Sequence, residues 1–285
     1  MPAMSDASHS NLPPTTSVVI EGVQIEVLHI PAPSDAKRRA PLVFLHEGLG
    51  SVSLWGTRHR YWPQELCSRT GRPGLVYSRR GYGQSDAIPN VRGAGEHSGF
   101  WRTGRHAADY MHVEAFEVLP RLLAACGVER PVLVGHSDGA TIALLHASRH
   151  PVTACIAMAP HVFVEEVALR SIAQARDAYL QHGLRDRLSR HHQDVDCAFW
   201  QWNDVWLSDA FRSFDMRTDC RRIRSPLMLV QGKDDEYGTL AQLDEIEAAA
   251  PQAERLELDA CGHSPHRDQP EALTHGLEPF LRDLP

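Results

Sequence analysis

One serine of the sequence stands between two glycines at a point where a strand is expected to turn into a helix. The stretch VLVGHSDGAT places Ser137 in a G-x-S-x-G pattern with Gly135 and Gly139. An apolar run precedes the pattern, and the helix-like segment ATIALLHASRH follows it. A sharp strand-to-helix turn exposes its central side chain, and flanking glycines let the backbone pass closely there. The pattern therefore predicts a nucleophilic serine, although a serine at a helix start can also act only as an N-cap.

A histidine and a pair of aspartates in later loops are placed to activate this serine. A serine hydroxyl is a weak nucleophile until a base accepts its proton, and the base needs an acid that holds its tautomer. QGKDDEYG places Asp234 and Asp235 just past one expected strand, and DACGHSPH places His263 just past the next. Loops at the carboxyl ends of parallel strands share one sheet edge. We therefore expect His263 and one of the two aspartates to meet Ser137.

The elements around these loops alternate between strands and helices. SVVIEGVQIEVLHI predicts a hairpin around Glu21 and Gly22. PLVFLH and GLVYSRR are continuous apolar runs, which are typical of strands buried on both faces of a parallel sheet. Further strands are expected in PVLV, ACIAMAP, PLMLVQG and ERLELD. The alternation predicts an α/β fold with a mostly parallel, doubly wound sheet and an active site at the carboxyl ends of its strands.

Prolines and glycines mark where the predicted helices bend or end. In ADYMHVEAFEVLPRLLAACG, apolar residues fall near one helical face, and we expect Pro120 to bend this helix and Gly127 to end it. TLAQLDEIEAAA predicts a helix that stops at Pro251, and a last helix is expected from Pro270.

The segment 161–222 interrupts the alternation. It has several helix-like stretches and AFWQWNDVW but no expected strand, which predicts an inserted helical cap. The α/β core then comprises 17–160 and 223–285. Residues 1–16 are polar and proline-rich, which predicts a flexible N-terminal tail.

Composition and charge exclude several classes of partner. The 285 residues are 42% hydrophobic and 23% charged, as in an ordinary globular protein. The 29 basic and 36 acidic residues give a net charge of −7. Without a basic run, nucleic acid is not an expected partner. No apolar run reaches about 18 residues and the start lacks the apolar core of a signal peptide, so we expect a cytoplasmic protein that does not bind membranes. The sequence leaves a homo-oligomer open.

Cysteines and histidines form no recognisable metal-binding pattern. The six cysteines are scattered without a C-x-x-C pair, and most are expected to be reduced and buried. The 17 histidines include His191 and His192 with His182 nearby, but there is no H-E-x-x-H motif. No metal or other cofactor is expected, and the predicted partner is a small-molecule substrate.

Five motifs together resemble those of the α/β-hydrolase superfamily, over roughly Pro41 to Pro285. They are FLHEGLG, SRRGYGQSD, GHSDG, QGKDDEYG and CGHSPH, in the family's order and approximate spacing. The chain is most similar to small capped bacterial serine hydrolases, the group around enol-lactonases, meta-cleavage-product hydrolases and proline iminopeptidases. The resemblance implies Ser137 as nucleophile, Asp235 as orienting acid and His263 as base.

The same motifs rank the alternatives for acid and base. Asp235 lies three residues after Gly232, where the family usually carries its acid, but Asp234 remains a competitor. His266 is an alternative base, although the motif favours His263. The serine also separates the chain from haloalkane dehalogenases and epoxide hydrolases, which attack with an aspartate.

Two backbone N–H groups are expected to stabilise the oxyanion of a tetrahedral intermediate. One belongs to Asp138, directly after the nucleophile and at a helix start, where the partial positive charge also helps. The other comes from the HEGLG loop, where family loops often carry His-Gly-Gly and this chain carries His46, Glu47 and Gly48. We expect Gly48 to be the second donor, with Glu47 as the alternative.

The side chains of Glu47 and Asp138 admit two interpretations. They could bind a substrate cation, as an aminopeptidase must, or they could pair with Arg79, Arg80 or backbone N–H groups. We favour the second, and we assign the arginines of SRRGYGQSD to the scaffold because this stretch resembles a structural turn of the family.

Aromatic residues of the cap predict one wall of the substrate pocket. In CAFWQWNDVWLSDAF, Phe199, Trp202 and Trp206 are spaced i, i+3 and i+7 and share a helical face, while Trp200 points elsewhere. We expect at least one of the three rings to line the pocket above Ser137 and to favour aryl or short-acyl substrates over long-chain lipids.

Together these features predict a serine hydrolase that cleaves a carboxylic ester, thioester or lactone of a small, apolar or aromatic substrate through an acyl-enzyme. Two alternatives use the same machinery: an aminopeptidase similar to proline iminopeptidases, and a C–C bond hydrolase acting on a vinylogous diketone. A binding module without chemistry is disfavoured by the complete set of serine, histidine and acid.

Overall fold

Twelve strands occur in the part of the chain that the computed structural model describes, residues 14–33, 39–57 and 59–285. Most of the predicted tail, residues 1–13, lies outside it. The strands are β1 (Thr16–Ile20), β2 (Val23–Ile30), β3 (Leu42–Leu45), β4 (Gly56–Thr57), β5 (Arg60–Tyr61), β6 (Gly74–Tyr77), β7 (Glu96–His97), β8 (Arg105–His106), β9 (Val132–His136), β10 (Ala154–Met158), β11 (Leu227–Gly232) and β12 (Ala253–Leu258).

Eight of these strands form one central sheet in the order β1-β2-β6-β3-β9-β10-β11-β12. β1 and β2 form the predicted hairpin, and β2 also pairs antiparallel with β6. All other neighbours in the sheet are parallel. β4 pairs with β5 and β7 with β8 in separate two-stranded ribbons. The predicted α/β class with a mostly parallel sheet is confirmed.

Helices cover both faces of the sheet. They are α1 (Trp62–Thr70), α2 (Tyr110–Val113), α3 (Leu119–Ala125), α4 (Asp138–Arg149), α5 (Glu166–Gln181), α6 (Leu184–Leu188), α7 (Val195–Trp206), α8 (Arg217–Cys220), α9 (Ala241–Ala249), α10 (Pro265–Asp268) and α11 (Pro270–Arg282), with 3-10 turns at Val52–Trp55 and Phe211–Ser213. Alternate residues of β3 show the two layers, since Leu42 and Phe44 belong to one hydrophobic cluster and Val43 and Leu45 to the other. Burial of these apolar side chains on both faces fixes the position of the sheet.

The single helix predicted around Pro120 is divided into two α-helices by a π-helical turn. A π-helical turn over Glu114–Val118 separates α2 from α3, and Pro120 lies in the first turn of α3. Proline lacks a backbone N–H, so the wider turn and a fresh helix start accommodate it. Gly127, with φ 64°, follows the end of α3 as expected.

Helices α5 to α8 form the predicted insertion between β10 and β11. The cap shares one hydrophobic cluster with the sheet, because Ile172 of α5 and Trp206 of α7 pack in the same cluster as Val43 and Leu45 of β3. The cap is thus packed onto the core over the sheet edge where the predicted site residues lie. Among the helices described, none combines the length and apolar character that crossing a bilayer requires.

Candidate active site

Ser137 occupies a sharp turn between β9 and α4. Its backbone has φ 53° and ψ −119°, a conformation that residues with a side chain rarely adopt. Glycine is required on both sides, because a Cβ at Gly135 would overlap the carbonyl oxygen of Gly139, and a Cβ at Gly139 would overlap that of Leu45. The Ser137 N–H donates to the carbonyl oxygen of Met158 at 2.9 Å, which ties the turn to β10. The hydroxyl is thereby held at the carboxyl edge of the sheet.

A chain of hydrogen bonds joins the serine, the histidine and one aspartate. Nε2 of His263 lies 2.9 Å from Oγ of Ser137. Nδ1 of His263 lies 2.9 Å and 3.0 Å from the two carboxylate oxygens of Asp235. A carboxylate can only accept, so Nδ1 carries the proton and leaves the Nε2 lone pair free for the serine hydroxyl. The structure thus brings Ser137, His263 and Asp235 together.

Asp235, rather than Asp234, contacts the imidazole. Its Oδ1 accepts hydrogen bonds from the backbone N–H groups of Tyr237 at 2.8 Å and Gly238 at 3.2 Å, which fix the carboxylate. Asp234 is exposed, and its backbone N–H donates to the carbonyl oxygen of Cys261. The two aspartates leave β11 in different directions, so one residue of spacing decides which side chain can orient the histidine.

The charges in this chain favour proton transfer towards the histidine. Burial alone would lower the pKa of His263, but the hydrogen bond and charge of Asp235 outweigh it and raise that pKa above its ordinary value. Burial would raise the pKa of Asp235, but the bond to His263 lowers it. Asp235 is therefore ionised at neutral pH, and its charge favours a protonated ring at His263.

Three further histidines surround His263. The ring of His136 lies 5.1 Å from it and that of His161 lies 5.7 Å from it. Burial lowers the pKa of His161 to about 3, so this ring stays neutral. The alternative base His266 is buried between His136, at 5.0 Å, and Trp55, at 4.9 Å. No hydrogen bond joins His266 to a described residue, so the structure does not bring it to the serine.

The predicted oxyanion donors lie on the same cavity as the serine. Asp138 is the first residue of α4, so its N–H is at the positive end of that helix. Gly48 and Asp138 both line the cavity that contains Ser137. A Cβ at Gly48 would overlap the indole of Trp202, so glycine lets the cap close over this loop. The geometry does not separate Gly48 from the alternative donor Glu47.

The carboxylate of Asp138 is occupied by protein partners. It accepts hydrogen bonds from the Tyr110 hydroxyl at 2.7 Å and from Nε1 of Trp206 at 3.2 Å, and it lies 4.0 Å from the guanidinium of Arg79. Burial raises the pKa of Asp138, while Arg79 opposes the rise. Arg79 in turn donates to the carbonyl oxygens of His46 and Glu47. The scaffold interpretation therefore fits Asp138 and Arg79.

Glu47 differs from Asp138, because its side chain opens onto the cavity. The side chain is 20% exposed, and Oε2 lies 3.5 Å from Nδ1 of His136. Burial alone would raise the pKa of Glu47, but the His136 imidazole and the charge of Arg267 hold it well below its usual value. An ionised carboxylate thus lies on the wall of the cavity that contains Ser137.

The cavity above the serine has a volume of about 260 Å³ and a largely apolar roof. The cap supplies Ile172, Leu188, Trp202 and Trp206. The polar or charged lining residues are Glu47, His136, Ser137, Asp138, His161, Glu236, Tyr237, His263, Ser264 and Arg267. A site of this size and lining fits a small substrate with an apolar part.

Two of the three predicted aromatic rings line this cavity, and the third does not. Trp202 and Trp206 are lining residues. Phe199 is fully buried and stacks on Tyr179 of α5 with ring centroids 3.7 Å apart. α5 covers the first turn of the shared helical face, so only the later turns reach the cavity.

Sequence reasoning missed His161, which follows β10 at the same sheet edge and could have been found by the rule that found His263.

The histidines near the cap do not converge on one point. His192 accepts from the Gly83 N–H at Nδ1 and donates to the carbonyl oxygen of Leu49 at Nε2, both at 3.0 Å. Nδ1 of His191 is instead bonded to the Ser53 hydroxyl at 2.8 Å. Within residues 14–33, 39–57 and 59–285, no group of three or more His, Cys, Asp or Glu residues is arranged to hold a metal ion.

Comparisons with known proteins agree with this fold. The sequence profile described as "Alpha/beta hydrolase family" matches residues 42–275. A protein named "Putative carbamate hydrolase RutD" from Pseudomonas savastanoi pv. phaseolicola is 26% identical over 272 residues, covering 85% of this chain and 94% of the relative.

Two solved structures show the same architecture. The enol-lactonase from Burkholderia xenovorans LB400 aligns with a TM-score of 0.68 at 19% identity, over 95% of this chain and 100% of the other. The proline iminopeptidase of Mycobacterium smegmatis aligns with a TM-score of 0.66 at 17% identity, over 94% and 97%. At such identities the likeness shows the fold alone, which is the α/β-hydrolase fold expected from the motifs.

Proposed function

The chain belongs to the alpha/beta hydrolase family, and from that premise we propose that it is a serine hydrolase of small carboxylic esters, thioesters or lactones. The observation that carries the proposal is the hydrogen-bond chain from Ser137 through His263 to Asp235. Each link has the length of an ordinary hydrogen bond, so little rearrangement is needed for proton transfer.

The chain of bonds supports a two-step acyl transfer. Oγ of Ser137 attacks the scissile carbonyl carbon while Nε2 of His263 takes the hydroxyl proton, and Asp235 stabilises the imidazolium. Backbone N–H groups of Asp138 and Gly48 bind the oxyanion of the tetrahedral intermediate. The imidazolium then gives its proton to the leaving alcohol or thiol. A water molecule, deprotonated by the same histidine, cleaves the acyl-enzyme and restores Ser137.

The cavity supports small substrates with an apolar or aromatic part. Its volume of about 260 Å³ is at the small end of ligand pockets. The indoles of Trp202 and Trp206 provide a flat apolar roof. The cap closes the space above Ser137, which disfavours long acyl chains and protein substrates.

Turnover of a defined ester panel tests this proposal. The wild-type protein should hydrolyse phenyl acetate and phenyl propionate, and Ser137→Ala should lose activity by roughly 10⁴-fold or more while its melting temperature is retained. Long-chain triglycerides should be poor substrates. A folded Ser137→Ala variant with more than about a tenth of wild-type activity would remove the nucleophile assignment. Preferential cleavage of amino-acyl naphthylamides or of vinylogous diketones over all esters would replace the substrate class.

A further inference from the structure

Glu47 is a charged side chain on the cavity wall for which the proposed reaction has no role. Among the described residues, no group donates a hydrogen bond to either of its carboxylate oxygens, and the contact to His136 Nδ1 is 3.5 Å long. This is outside the usual range for a hydrogen bond. A buried or half-buried carboxylate without donors is costly. The carboxylate thus retains capacity to accept hydrogen bonds from a molecule in the cavity.

The neighbouring imidazole of His136 fills at most one acceptor site of this carboxylate. Nε2 of His136 lies 2.7 Å from the carbonyl oxygen of His263, which can only accept, so Nε2 carries a proton. Nδ1 of His136 can donate to Glu47 only when the ring carries a second proton, and the distance of 3.5 Å makes this a long contact. An ionised carboxylate has about four lone-pair sites, so Glu47 retains capacity for a donor on a molecule in the cavity.

The position of Glu47 determines which part of a substrate it meets. It immediately precedes Gly48, the proposed donor to the carbonyl oxygen, and both residues line the cavity with Ser137. A carboxylate one residue from the oxyanion donor, on the wall of the same cavity, is near the place where a substrate carbonyl is expected to lie. The other charged side chains at the cavity mouth, Glu236 and Arg267, are exposed, and the carboxylate of Asp138 is occupied by Tyr110 and Trp206.

We propose that Glu47 accepts a hydrogen bond from an N–H group that the substrate carries next to its scissile carbonyl, as in an aminoacyl ester or a carbamate. This inference rests on the proposed function and specifies the substrate class of the same site. An N–H donor to an ionised carboxylate forms a charge-assisted hydrogen bond, which is stronger than a neutral one. A substrate with a methyl group in that place leaves the carboxylate unpaired beside a developing oxyanion, which opposes catalysis.

Two pairs of isosteric esters test the inference. Phenyl glycinate is compared with phenyl propionate, in which a methyl group replaces the ammonium, and phenyl carbamate with phenyl acetate, in which a methyl replaces the amino group. kcat/KM is measured for the wild type and for Glu47→Gln near neutral pH. The intrinsic reactivities of the esters cancel when the ratio within each pair is compared between the two proteins.

We expect Glu47→Gln to reduce the nitrogen-to-carbon ratio by about tenfold or more in at least one pair. A change confined to the glycinate pair identifies an ammonium as the donor, and a change confined to the carbamate pair identifies a neutral N–H. Glu254→Gln is the matched control, because it removes a carboxylate from the exposed surface of β12 and should leave both ratios unchanged. Ratios that stay within about twofold in Glu47→Gln for both pairs overturn the inference.

A binding measurement separates this inference from the proposed function. If the carbon esters are not cleaved in a Ser137-dependent manner, the proposed function fails. Glycine anilide and propionanilide, and phenylurea and acetanilide, are then titrated calorimetrically into Ser137→Ala, which requires no turnover. Tighter binding of the nitrogen compound in at least one pair that is lost in the Ser137→Ala, Glu47→Gln double variant supports the acceptor role, and equal binding within both pairs overturns it.

Discussion

Replacing Asp235 by asparagine is expected to reverse the tautomer of His263. Oδ1 of Asp235 accepts from the backbone N–H groups of Tyr237 and Gly238, so the amide oxygen of an asparagine must take that position. The NH₂ group then faces Nδ1 of His263 and donates to it. This favours the tautomer of His263 that carries its proton on Nε2, where it points at Ser137 and cannot accept the serine proton.

The loss of the correct tautomer should reduce kcat/KM by about 10⁴-fold, which is about 5 kcal/mol of transition-state stabilisation. The effect on stability should be smaller. The new NH₂ meets the side-chain amide of Gln231, which lies 3.1 Å from Oδ2 of Asp235. To turn its oxygen towards the asparagine, Gln231 must give up its 2.8 Å hydrogen bond to the carbonyl oxygen of Gly238. We expect the free energy of unfolding to fall by about 1–2 kcal/mol.

Asp234→Asn is the matched control, because Asp234 is exposed and does not contact His263. Hydrolysis of a phenyl ester is measured for both variants, together with thermal unfolding. Asp234→Asn should stay within about threefold of the wild type. If Asp235→Asn retains more than about a tenth of wild-type kcat/KM, or if Asp234→Asn is the more damaging change, the assignment of the acid is refuted.

Three other predictions follow from the same contacts. Activity should rise with pH through an apparent pKa above about 6.5, the value of an unperturbed histidine. Only the neutral ring of His263 is a base, and Asp235 raises the pKa of that ring against the effect of burial. A flat pH–rate profile would contradict this prediction. Trp202→Leu should raise KM several-fold, because its indole lines the cavity. Phe199→Leu, which loses the stack on α5, should lower the free energy of unfolding by about 1 kcal/mol or more and leave KM unchanged. A raised KM in Phe199→Leu with an unchanged KM in Trp202→Leu would move Phe199 to the site. Gly139→Ala should prevent cooperative folding, because the added Cβ would overlap the backbone at the end of β3. A urea unfolding curve like that of the wild type would contradict this prediction by showing that the turn can relax.

The positions of Ser137, Asp235 and His263 were predictable because one rule of parallel sheets covers all three. Each follows a strand of the central sheet, and the carboxyl ends of neighbouring parallel strands lie at one edge. β9, β10, β11 and β12 are consecutive in the sheet, so loops that are distant in the sequence meet in space. The glycines around Ser137 gave further information, because their spacing marks a tight turn, although the contact that requires Gly139 comes from Leu45 of the distant strand β3.

The environment of the side chains was less predictable, because it depends on elements that are distant in sequence. Helical periodicity placed Phe199 on one face with Trp202, but it gave no information on which turn α5 covers. The partners of Asp138 come from α2 and α7, as Tyr110 and Trp206. Nothing in the sequence near Asp138 specifies either contact. The choice between a substrate-binding and a scaffold role therefore required the packed cap.

Covalent labelling tests the central claim most directly. The wild-type protein is treated with a fluorophosphonate, which reacts with activated serine nucleophiles, and the modified residue is located by peptide mass spectrometry. We predict a single stoichiometric adduct on Ser137, formed at least about a hundredfold more slowly in Asp235→Asn and at the wild-type rate in Asp234→Asn. Absence of an adduct on Ser137 in folded protein, or labelling that is equally fast in Asp235→Asn, would contradict the proposed serine, histidine and aspartate machinery.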